Sequence, residues 1–204
     1  MRVFGIAILV AIGIIAVIGF WAFGSINNIP KFEEAAKAQW AEALNQYQRR
    51  ADLVPNLVAT VKGAADFEKS TLEAVIEARA KVGSIQLSKD ILNDPAAMKA
   101  FSDSQGALTS ALSRLLVVAE QYPNLKATEA FQTLQAQLEG TENRIQVARR
   151  DFILAVQAYN TELKTFPGVL WHKILYADRE PMQQLQVEPD KLDVPKVDFG
   201  TTGN

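Results

Sequence analysis

Glu139 and Glu142 stand three residues apart, so on a helix they share one face, with Arg149 further along the same stretch and Arg49, Arg50 and Arg79 elsewhere in the chain. Paired carboxylates are the equipment of general acid–base chemistry, and they are the first grouping in this sequence that chemistry could use. Three readings compete. The charges form satisfied ion pairs or a solvated face, the usual role of charge-laced helices. Alternatively, Arg49 or Arg50 meets Glu139 or Glu142 across packed helices near Asp52 and sets their register, an arrangement that specifies a structure more than it stabilises it. The third is a self-association contact, and for either contact reading the candidates are Arg49, Arg50, Asp52, Asn56, Glu139, Glu142 and Arg149.

The remaining inventory excludes more chemistry than it offers. The only histidine is His172, and a di-iron helical motif needs a glutamate three residues before a histidine, where this chain has Val169. No HExxH and no GxxxxGK[ST] occurs, and Gly63 and Gly83 stand isolated. His172 sits beside Trp171 in a proline-rich tail, a poor setting for nucleophile activation. The chain has no cysteine, which removes disulfides, thiolate metal sites, a thiol nucleophile and a lipidated cysteine. Net charge is −2 with no lysine- or arginine-rich block, so the electrostatic footprint of a nucleic-acid binder is missing. The inventory therefore predicts no catalytic residue, no metal, no cofactor, no nucleic acid, and a protein that is not an enzyme.

What must position those charges is helical. Residues 3–24, VFGIAILVAIGIIAVIGFWAFG, carry no charge, and about 20 apolar residues are what a helix needs to cross the hydrocarbon core. This predicts a transmembrane anchor over residues 1–24, with Trp21 near its far end where aromatics suit the interface. A cleaved signal peptide competes, because Ala22 and Gly24 are small residues before Ser25, but the apolar run exceeds a signal core of about 7–15 residues. Basic residues are nearly balanced across the span, Arg2 on one side and Lys31 and Lys37 on the other; the reading adopted places the N-terminus inside and the main domain outside, in the periplasm.

Residues 25–30, SINNIP, read as a linker. Beyond them, apolar residues at three- and four-residue spacing predict helices over about 31–50, 53–82, 96–121 and 125–164. No alternating strand pattern rises above this background. Pro55 decides the first boundary, since a proline inside a helix costs roughly 3 kcal/mol. A kinked helix through 31–82 would be about 78 Å long and leave apolar surface uncovered, whereas a restart gives four segments of comparable length. Asp52 would then cap the second helix and place Pro55 in its first turn. The expectation is an all-α protein: an N-terminal transmembrane helix, an antiparallel four-helix bundle over 31–166, and an extended proline-containing tail over 167–204. In the tail, GVLWHKILY (168–176) either covers the open end of the bundle or contacts lipid headgroups or a neighbouring subunit through Trp171 and Tyr176.

Trp40, Gln46, Tyr47, the block RRADLVPNLV with the following TVKG, and LEAVIEARA at 72–80 resemble the signature of the LemA family. FQTLQAQLEGTENRIQVARRDF, AYN at 158–160, the following FP, and PKVDF at 195–199 extend that resemblance over nearly the whole chain. One departure is NNIPKFEEA, where family members usually carry a tyrosine-asparagine pair leading into the first helix. The resemblance implies a single-pass bacterial membrane protein with an antiparallel helical bundle and no enzymatic activity. Association of some relatives with magnetosome membrane formation implies a membrane-organising role. The functional expectation is a self-associating scaffold in the bacterial cytoplasmic membrane, with the bilayer, other copies of the chain and membrane-associated proteins as partners. The alternative is an anchored sensory or regulatory adaptor that binds a signalling partner or small ligand.

Overall fold

The computed structural model describes residues 2–63, 67–85 and 91–185, with only part of the side chains of its first helix. Among the described residues every regular element is helical and there is no strand. The first helix, α1 (Arg2–Gly24), has 23 residues and its only charged residue is Arg2. Among the described residues no helix is long and apolar enough to cross a membrane. Several side chains of α1, that of Trp21 included, lie outside those described. The described residues of α1 therefore do not bear out the expected transmembrane anchor over residues 1–24.

A short turn leads into α2 (Asn28–Lys62), which is 35 residues long and runs without interruption through Pro55. The expected restart at Asp52 does not occur. Asp52 is an exposed mid-helix residue, and the proline in the first turn of α2 is Pro30. The buried stripe explains the continuity: Ala43, Tyr47, Arg50, Val54, Leu57 and Val61 keep helical spacing across the proline, and a break at Ala51 would split it. The missing Pro55 N–H leaves the carbonyl of Ala51 without its intrahelical donor, and Arg79 Nε donates to that oxygen at 3.1 Å. The chain turns instead at Gly63, whose N–H bonds the Thr60 carbonyl at 3.3 Å.

The returning helix α3 (Lys69–Ser84) is thus shorter than the expected 53–82. Asp94 opens α4 (Pro95–Ala119) by accepting from the amides of Ala96 and Ala97, with Pro95 placed where no donor is needed. The expected helix over 125–164 is divided. Pro123 starts a single turn, α5 (Pro123–Lys126), and Thr128 then caps the long α6 (Glu129–Glu162) through the Phe131 amide. Helix α2 packs chiefly on α6 and α3 on α4. At 1.5 Å per residue α2 and α6 both run about 50 Å, so the length match that the sequence pattern assigned to four similar helices belongs to this one pair. Contacts from Asn28 to Glu162 and from Arg50 to Glu142 show that the two run antiparallel.

The tail is not extended throughout, because Gly168–Leu175 form a helix, α7, seated against the start of α2. Gly168 permits that seat: a Cβ there would lie 2.2 Å from the Glu162 carbonyl oxygen. Pro189, Pro195 and PKVDF at 195–199 lie outside the described residues. Restoring the Pro55 amide should make Arg79 dispensable as a donor to Ala51. In denaturant unfolding, Arg79→Ala is expected to cost about 1 kcal/mol in the native background and nearly nothing in Pro55→Ala.

Candidate functional site

Two apolar clusters fill the helical body, and a polar layer separates them. One gathers Trp40, Phe101, Phe152 and Tyr159; the other gathers Leu57, Val75, Leu108, Leu115 and Phe131. Between them lies Arg50, only 2% exposed. Its Nη1 donates to Glu142 Oε2 at 2.9 Å and to Thr109 Oγ1 at 2.6 Å, while Nη2 donates to Gln105 Oε1 at 2.7 Å and to the Gln105 carbonyl at 3.2 Å. The guanidinium carbon stands 5.4 Å from the centroid of the Tyr47 ring, and Nε has no acceptor among the described residues. Burial pushes the Tyr47 phenol above its ordinary pKa, opposed by the charges of Arg149 and Arg50. One guanidinium on α2 therefore engages α4 and α6 together.

Of the expected contact residues, the structure brings Arg50 and Glu142 together and separates the others. Arg49, one residue away, is exposed and makes no ion pair among the described residues. Glu139 is exposed and accepts from Gln135 of its own helix at 3.1 Å. Asn56 is exposed, and its carbonyl accepts from Thr60. Arg149 is partly buried and acts on the Tyr47 phenol through its charge. Gln105 and Thr109 escaped the sequence reading, although Gln105 interrupts the Phe101–Leu108–Leu112 stripe at helical spacing. A polar residue inside an apolar stripe signals a buried polar partner.

A second polar knot ties the tail to the N-terminal end of α2. Glu33, 6% exposed, takes Lys37 at 2.7 Å and Arg179 at 2.8 Å. Hydrogen bonds to Glu33 and Glu34 raise the pKa of Lys37. Asn160 holds the Met182 backbone from both sides, Nδ2 donating to its carbonyl and Oδ1 accepting its amide, each at 2.9 Å. Tyr159 donates to the Glu180 carbonyl at 3.3 Å, and burial followed by the Glu33 charge pushes its phenol up to about 12. Met182 and Leu185 then enter the first apolar cluster, with Trp171 and Tyr176 packed at its edge. Trp171 Nε1 donates to Ser25 Oγ at 3.0 Å, and its ring lies 5.5 Å from that of Phe23. AYN and the tryptophan-containing tail are thus structural fasteners.

A cleft of about 520 Å³ opens beside the polar layer, with Tyr47, Asp52, Arg79 and Gln105 among its walls. Among the described residues no group of three histidine, cysteine or acidic side chains could hold a metal ion. The family model of the LemA family matches residues 39–199, which takes in the polar layer around Arg50 together with Asn160 and Arg179 but not Glu33 or Lys37. The chain belongs to the LemA family. Magnetosome protein MamQ 2 of Paramagnetospirillum magneticum is 28% identical over 177 residues, covering 78% of this chain and 65% of its own length. Magnetosome protein MamQ of Magnetospirillum gryphiswaldense is 26% identical over 180 residues, covering 79% and 66%. Protein LemA of Metamycoplasma hominis is 28% identical over 120 residues, covering 58% of this chain and 50% of that protein. The match thus spans less than two thirds of each relative.

Reversing the half-exposed partner tests the polar layer. Glu142→Arg sets a like charge against buried Arg50 and is expected to lower unfolding stability by about 3 kcal/mol. Arg49→Ala, in the same motif, is expected to change it by less than about 0.5 kcal/mol. The phenol of Tyr159 gives a pH prediction. Its folded pKa lies above the unfolded value, so the stability tied to its neutral form is present below pH ~10 and is lost as pH rises through about 12. Phenolate absorbance should show a late-titrating tyrosine that disappears in Tyr159→Phe.

Proposed function

We propose that this LemA-family chain is a non-enzymatic, single-pass protein of the bacterial cytoplasmic membrane that self-associates as a scaffold, organising or shaping membrane or holding partner proteins there. In this reading α1 is the anchor: 23 residues at 1.5 Å each give about 34 Å, against a hydrocarbon core of about 30 Å. Helices α2, α3, α4 and α6 form an antiparallel four-helix bundle on the periplasmic side. The observation that carries the reading is the joint between anchor and body. Trp171 grips Ser25 and Phe23 at the very end of α1, so membrane and bundle are coupled through side chains as well as through a three-residue turn. Scaffolds transmit orientation through such joints, and many anchors in one assembly multiply membrane avidity. The magnetosome proteins among its relatives support a membrane-organising role.

The adaptor reading is favoured by the 520 Å³ cleft, which is within the size range of small-molecule sites and has Asp52 and Arg79 on its walls. Light scattering and electron microscopy of the full-length chain in mild detergent separate the two. A ring, dome or sheet of many copies is the expected outcome. A monodisperse monomer would sink the scaffold and favour the adaptor.

A further inference from the structure

The outer face of α7 is apolar and uncovered. Leu170 and Ile174, at i and i+4, are 42% and 68% exposed. Such a ridge on a helix this short is expensive to leave in water, and its position says what covers it. Trp171, one residue from Leu170, contacts Phe23 and Ser25 at the C-terminal end of α1. The exposed apolar surface of α1 itself, Phe20 at 86% and Phe23 at 66%, ends at the same place. The ridge therefore continues that apolar surface sideways at the level where α1 would leave the hydrocarbon. Exposed Lys31, Lys164 and Lys173 lie in the elements meeting here, and none forms an ion pair among the described residues. Apolar side chains with lysines on the polar side are the pattern of a helix lying in a bilayer interface.

We propose that α7 lies in the membrane–water interface, with Leu170 and Ile174 inserted among the lipids that surround α1. This rests on α1 being a membrane anchor. The close seat of Gly168 on Glu162 and the Trp171 contacts hold α7 in place before it meets lipid, so its insertion requires no folding step. The α1 end and α7 together make a two-point footing that fixes the tilt of the helical body on the bilayer.

The chain has no cysteine, so single-cysteine variants can carry a spin label directly. Full-length Leu170→Cys and Ile174→Cys are placed in phosphatidylcholine nanodiscs, with Leu9→Cys in α1 and Val117→Cys, 67% exposed at the far end of α4, as lipid and water references. Accessibility to oxygen relative to a water-soluble nickel chelate is then measured. Labels at 170 and 174 are expected to favour oxygen several-fold more than the label at 117, approaching the label at 9. If 170 and 174 match 117 while 9 reports lipid, the interfacial footing is wrong and the anchor stands. If 9 also reports water, the anchor reading fails and the footing with it. Spin–spin broadening at 170 or 174 that vanishes on dilution with unlabelled chain would give the ridge to a second copy and overturn the proposal.

Discussion

A buried guanidinium is costly to desolvate, and the body of this protein is arranged around satisfying one. Arg50 reaches Glu142 on α6 and both Thr109 and the backbone of Gln105 on α4 from a position in the middle of α2. Sliding any of these helices by a turn would strand the charge in apolar surroundings, a penalty of several kcal/mol. Hydrophobic packing tolerates such slips far better, because one leucine replaces another in a groove. The apolar clusters above and below supply the bulk of the driving force, and the polar layer chooses among the registers they would permit.

The same logic acts a second time at the N-terminal end of α2. Glu33 is buried with Lys37 and Arg179, and Arg179 is contributed by a segment 146 residues further along the chain. Asn160 holds the backbone of Met182 nearby, so the tail is fastened through hydrogen bonds at its polar edge and through Met182 and Leu185 in the core. The two knots lie at different heights along the α2–α6 pair. Together they hold α2 near its start and at its middle, and Arg79 meets the one backbone acceptor that Pro55 leaves open.

Much of the candidate site was readable as composition but not as geometry. The RR pair near Asp52 and the Glu139/Glu142 pair announced a charge contact, yet two arginines and two glutamates allow four pairings. Only the rotation of α2 and α6 about their axes selects Arg50 with Glu142 and turns Arg49 and Glu139 to solvent. The Pro55 boundary failed for a related reason. Local rules place a proline at a helix start, and the donor that makes an interior position acceptable comes from another helix, where no local rule can see it.

The sequence by itself determined the helical class, the apolar first segment and the family. These follow from periodicity, inventory and a long motif, all of which are local or compositional. Tertiary structure alone decided that α2 continues through Pro55, that the tail folds back as α7, and that Arg179 and Asn160 serve as fasteners. Each of those outcomes depends on a partner tens of residues away, and the free energy that settles it exists only once the helices have met.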